Sequence, residues 1–169
     1  MKFWVYLCLC FLLVPLQTTA LGRTGTTLVE PDVILVAVCL IGLLTDELEG
    51  ALMGVLLGFI QDLFSAGVAF PNLVTKGLLG IVAGLIGQQV VQVSSIVVAL
   101  AVVVLSSLSG LALLYLARGH ALGDAFLAVP TLLLPQALLD AILAVAVFWG
   151  VRRIAARYYP LRSSVFRED

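Results

Sequence analysis

The sequence predicts an all-α, polytopic helical membrane protein of about six transmembrane segments, and three observations carry that prediction. Of 169 residues, 62% are hydrophobic and only 11% charged, with a mean hydropathy of +1.19. A soluble domain of this length needs far more polar surface. Apolar runs recur along the whole chain, separated by short polar or proline-bearing loops. The charges also cluster: five of nine cations (Arg152, Arg153, Arg157, Arg162 and Arg167) crowd the last 18 positions.

The first apolar run spans residues 3–21, behind Lys2. It is longer than the ~7–15-residue core of a signal peptide, and membrane-like sequence follows it, so it reads as a retained helix. After the linker "GRTGTTLVEPD", residues 33–44 form an apolar run of twelve. At ~1.5 Å per residue this covers about 18 Å, short of the ~30 Å hydrocarbon core. "TDELEG" then places three carboxylates together, so the chain surfaces there. Residues 51–64 are again short, and the pair is either two thin spans or a re-entrant hairpin. Residues 77–93 follow the loop "SAGVAFPNLVTK", and 96–117 form a long β-branched run. The last segment, 125–151, contains Pro130 and Pro135, which bend it or confine the helix to the part after Pro135. Residues 1–151 are thus one membrane domain, and 152–169 a basic tail.

Six segments put both termini on one side, and the positive-inside rule makes that side the cytoplasm. Lys2 and the five arginines then lie inside, with Arg23, Lys76 and Arg118 outside. Trp4, Tyr6, Trp149, Tyr158 and Tyr159 stand at the cytoplasmic ends, as interfacial aromatics do. The basic tail is drawn to the anionic inner leaflet of the bilayer by ~1 kcal/mol per cation. No basic face with aromatic platforms points to nucleic acid. Cys8, Cys10 and Cys39 lie in apolar runs without a C-x-x-C pattern and read as small buried hydrophobes. His120 is the lone histidine, no serine has a histidine motif beside it, and no phosphate loop or H-E-x-x-H occurs. No catalytic residue, metal ligand or cofactor site is expected, and the chain reads as a non-enzyme.

"GALMGVLLGFIQDLFSAG" carries Gly50, Gly54 and Gly58 at every fourth position. Such a face lets a second helix backbone approach closely. Gly77, Gly80, Gly84 and Gly87 repeat the device in the next segment, so the two helices pack tightly on each other or on a partner. Asp62, at the outer end of its segment, reaches the interface, caps the following turn, pairs with Lys76, or belongs to an ion site. Asp140 is the other polar position in the membrane: if its helix begins near Pro135 it lies little more than a turn inside the outer boundary, and if the span begins at Ala125 it sits near mid-membrane and needs a partner, with Arg118, His120 and Lys76 as possible ones. Asp46-x-x-Glu49 resembles a capping box at the start of the third segment, where Asp46, Glu47 and Glu49 favour the helix N-terminus.

Taken in order, "VPLQTTAL", "PDVILVAVCLIGLL", "GALMGVLLGFIQDLFSAG", "FPNLVTKGLLGIVAGLIG" and "LLPQALLDAILAVAVFWGVRRI" resemble the MreD family of rod shape-determining proteins. Gly58-Phe59 followed by Asp62, Ser65 and Gly67 is the most specific part, within about 20 residues. Asp140 departs from the polar amide more common there, and "TDELEG" is more acidic than the family pattern. The resemblance implies a non-enzymatic scaffold of cell elongation in the inner membrane. Its implied partners are an MreC-like bitopic protein, an MreB-like cytoskeletal protein, RodA and a class B penicillin-binding transpeptidase. Gly50, Gly54, Gly58, Phe59, Gly77, Gly80 and Gly84 then become the docking surface, and Arg152, Arg153 and Arg157 the cytoplasmic contact. The implied fold is similar to the six-helix substrate-binding subunits of energy-coupling-factor transporters. That likeness supplies an alternative function, a vitamin-binding membrane subunit, which would need an outer cavity. The outward polar and aromatic inventory for one is thin: Asp62, Phe70, Asn72, Lys76, His120, Asp124, Gln136 and Asp140.

Overall fold

The computed structural model describes residues 30–64, 70–90, 92–118 and 133–158. These residues form five helices and no strand: α1 (Val33–Leu44), α2 (Glu47–Phe64), α3 (Pro71–Gln89), α4 (Ser95–Arg118) and α5 (Leu134–Tyr158). The expected first segment, 3–21, lies outside the described residues, as do His120, Asp124 and Pro130. Among the described residues, two helices are long and apolar enough to cross a membrane, over Ser95–Leu113 and Leu134–Arg153.

Each helix begins where local chemistry satisfies its free N–H groups. Asp32 caps α1 by accepting from the Leu35 N–H at 3.0 Å. Asp46 caps α2 through the Glu49 N–H at 2.7 Å, so α2 starts at Glu47, ahead of the expected 51. Ser94 caps α4 through the Val97 N–H at 3.3 Å. In α5 the helix starts at Leu134, with Pro135 in the first turn, where the missing N–H costs nothing. The expected segment from 125 is therefore helical only from Leu134 among the described residues.

α1 is the centre of the bundle and touches all four other helices, while α2, α3, α4 and α5 neighbour one another in that order. Eight of its twelve residues are buried. That resolves why so short an apolar run exists: a helix walled in by protein does not have to match the bilayer thickness. Its Leu35, Val36, Cys39, Leu40 and Leu43 join Leu79 and Ala83 of α3, Val98, Val102 and Leu105 of α4, and Ala141, Ala144 and Phe148 of α5 in one core. Ile34 and Val38 pack on Met53 and Leu57 of α2.

Outside this core the usual distribution of polarity is reversed. Leu52, Val55, Leu56, Leu78, Leu85, Leu100, Val104, Leu138 and Ile142 face outward, whereas Lys76 and Asp140 are 0% exposed. Exposed apolar side chains around a buried charged centre are the inverse of what water favours.

Candidate functional site

The glycines bring α2 and α3 together backbone to backbone. A Cβ on Gly58 would stand 2.5 Å from the Asn72 carbonyl oxygen, and one on Gly54 2.7 Å from the Lys76 carbonyl carbon. In the other direction, a Cβ on Gly80 would stand 2.6 Å from the Gly50 carbonyl carbon, and one on Gly84 2.7 Å from that of Asp46. The faces of Gly50, Gly54 and Gly58 are thus filled by α3 of the same chain: of the two arrangements the glycine spacing allowed, packing on each other or on a partner, these faces take the first. Gly77 lies beside the Val55 side chain. Of the residues expected to dock a partner, Phe59 alone is exposed, and its ring stacks on Phe70 with centroids 5.6 Å apart.

Asp62 closes the end of this hairpin where the C-terminus of α2 meets the N-terminus of α3. Its Oδ1 accepts from the Asn72 N–H at 3.2 Å and the Asn72 Nδ2 at 2.7 Å, and its Oδ2 from the Leu73 N–H at 2.8 Å. A carboxylate of one helix therefore caps the next, adding charge of the favoured sign at that N-terminus. The residue at the usual capping position, Phe70, makes no side-chain cap bond and has a φ of 32°. A left-handed backbone is costly for a bulky side chain, and Asp62 does the capping that Phe70 cannot.

The second constellation is a buried polar centre at the N-terminal end of α1. Lys76, from the second turn of α3, forms an ion pair with Asp32, its Nζ 2.9 Å from Oδ1 and 2.8 Å from Oδ2. It also donates to Gln61 Oε1 of α2. Asp140 of α5 accepts from the backbone N–H of Asp32 at 2.7 Å, and from the Ser106 hydroxyl of α4 at 2.5 Å. Side chains or cap groups from all five helices meet here. Asp32 is 7% exposed and Ser106 5%.

This centre changes three sequence-based assignments. Lys76 was expected in an outer loop, but α3 begins at Pro71 and turns it inward. For Asp140 the sequence left the depth open, with Arg118, His120 or Lys76 as partners only if it lay deep; it is buried, its neighbours among the described residues are a backbone N–H and a hydroxyl, and Lys76 pairs with Asp32. Asp32 was read as part of a polar linker and is instead a buried member of the centre. The signal that marks it is local: an acid directly before an apolar helical run is a capping residue, and here that cap is enclosed by the other helices. Asp62 does not pair with Lys76.

At the opposite end, Arg152 lies 5.7 Å over the Phe148 ring and Arg153 4.9 Å over Trp149. These one-turn pairs lay the arginine stems along aromatic surface. Arg157 is in the last turn of α5. Glu47 of α2 accepts a hydrogen bond from Gln88 of α3 at this same end.

Among the described residues, no group of three or more His, Cys, Asp or Glu side chains is placed to hold a metal ion. What the arrangement offers chemically is a shielded ion pair and a shielded carboxyl group, bonded into the packing of every helix. The chain matches no protein-family model, no curated protein and no solved structure.

Proposed function

We propose that the chain is a multi-pass protein of the bacterial cytoplasmic membrane, with both termini cytoplasmic, and a non-enzymatic scaffold of the cell-elongation machinery similar to MreD. In this reading it docks an MreC-like bitopic protein and links it to an MreB-like filament, RodA and a class B penicillin-binding transpeptidase. One observation carries the reading. The stretches that carry the resemblance, 50–67 and 70–87, supply in their described residues most of the α2–α3 hairpin, which is closed by glycines on the inside and capped by Asp62. Its outer face is an apolar wall of Leu52, Val55, Leu56, Phe59 and Leu63. A rigid hairpin with such a wall suits a partner helix that meets it within lipid.

The test is affinity purification of the tagged full chain from native membranes in mild detergent, with crosslinking from position 59. An MreC-like protein crosslinked there, recovered with wall-synthesis enzymes, supports the scaffold. Recovery of paired ATPases with a second polytopic subunit instead would move the assignment to a vitamin-transporter subunit. The charged centre favours keeping that second reading, because ionisable groups within a membrane domain commonly mark ligand or ion sites.

A further inference from the structure

Two guanidinium groups near the end of α5 are each set over an aromatic ring one turn back. Arg152 lies 5.7 Å over Phe148 and Arg153 4.9 Å over Trp149. The two pairs face differently. Phe148 is buried in the core, so Arg152 stands at the edge of the bundle. Trp149 is 53% exposed, and Arg153 is exposed with it. This second pair is turned outward, away from α4 and α1, on which α5 packs.

The outward face of α5 continues below the pair. Ile142 is 67% exposed, and Ala146, one turn on, is exposed as well. A Cβ on Gly150 would meet nothing within 4 Å. Residues three and four apart are neighbours on a helix surface, so Ile142, Ala146 and Gly150 form a shallow apolar strip beside the indole, and it ends at Arg153. The apolar span Leu134–Arg153 has 20 residues. At ~1.5 Å per residue it covers about 30 Å, the thickness of the hydrocarbon core. With α5 across a bilayer, Arg153 stands at the level of the headgroups and Trp149 one turn deeper, where interfacial aromatics sit.

Charge and shape select the occupant. A guanidinium set over a ring spends its face on that contact, and its in-plane N–H donors match two phosphate oxygens side by side. A choline or ethanolamine headgroup would bring its own cation towards Arg152 and Arg153, whereas a headgroup of net negative charge would not. A free phosphate would engage the guanidinium but leave the apolar strip unused. The acids Asp46, Glu47 and Glu49 stand at the start of α2, not on α4 or α1.

We propose that the outward face of α5 binds one anionic phospholipid, its phosphate on Arg153 above Trp149 and an acyl chain along Gly150, Ala146 and Ile142. The site is narrower than the general attraction of a basic tail to an anionic leaflet, because one guanidinium and one aromatic shelf carry it. It rests on α5 lying in the bilayer and not on the scaffold reading or its partners.

The experiment uses the full chain with Trp4→Phe, which leaves Trp149 as its one tryptophan. The chain is reconstituted in phosphatidylcholine vesicles with phosphatidylglycerol, one of the two lipids being brominated on its acyl chains. Quenching of Trp149 should show a preference of about fivefold for phosphatidylglycerol at equal mole fraction, the effect of one cation near the surface. Arg153→Gln should bring the preference close to one. Arg167→Gln, which removes the same charge from the tail, should leave it unchanged. Equal quenching by the two lipids overturns the proposal, as does a preference that survives Arg153→Gln. An equal loss in Arg167→Gln would mean diffuse attraction only, and a preference abolished by added inorganic phosphate would mean a site for the free anion; either result overturns it. Quenching by neither lipid would overturn the membrane reading of α5 itself, so the two failures are told apart.

Discussion

The α2–α3 hairpin and the α4–α5 pair are both antiparallel helix contacts, but they are built by opposite means. α2 and α3 meet through absent side chains, so the backbone of one helix lies where a Cβ of the other would be. α4 and α5 meet through side chains that fill the space, among them Val102, Leu105, Ala144 and Phe148. Even the glycine on that side differs. A Cβ on Gly110 would encounter the Leu133 side chain, which can turn aside, whereas on Gly54 it would encounter backbone, which cannot. A hairpin of the first kind has one workable geometry, and a pair of the second kind can adjust. The polar centre bonds the rigid half, through Lys76 and Gln61, to the adjustable half, through Asp140 and Ser106.

The largest effect is expected where the two halves are joined. Lys76→Met removes the ammonium paired with the buried Asp32 and should cost about 3–5 kcal/mol, measured by reversible unfolding in detergent. Asp32→Asn added to it should restore much of that loss. A lysine variant that melts with the wild type would mean that the centre does not hold the halves together.

Next is the hairpin itself. Gly54→Leu should cost about 3 kcal/mol, the upper end of overpacking, while Gly110→Ala should cost no more than about 1 kcal/mol. Equal thermal shifts for the two variants would erase the distinction between rigid and adjustable contacts. Asp62→Ala removes a charged cap that receives three hydrogen bonds, and a loss of about 1–2 kcal/mol is expected. Hydrogen exchange should quicken at Asn72 and Leu73 in that variant before it does in α4; uniform protection would argue against Asp62 as the cap. The smallest change has the opposite sign. Gly150 has nothing within 4 Å of a Cβ position, so Gly150→Ala should stabilise α5 by about 0.5–1 kcal/mol, seen as a raised melting temperature.

Much of the helical layout was legible because its causes are local. The i, i+4 glycines of the third segment, the acids opening it at Asp46, and Pro135 at the head of α5 each act within a turn or two of their own position. Asp62 was readable as a cap for the same reason, although not which N–H groups it would take. The buried centre was not legible. Reading charges as places where the chain leaves the membrane put Asp32 in a linker and Lys76 in a loop, and it left the depth of Asp140 open.

By itself the sequence determined that helices form, roughly where they begin, and that two of them can lie face to face without side chains between them. Hydropathy and capping depend on neighbours in the chain, so they can be read along it. Only the tertiary structure decided that the short α1 is the enclosed centre and that the two glycine faces serve each other. It alone placed Asp32 with Lys76, 44 residues away, and with Asp140, 108 away. The physical reason is that a buried charge is tolerated only beside its partner, and partners so distant in sequence become neighbours only once the helices have packed.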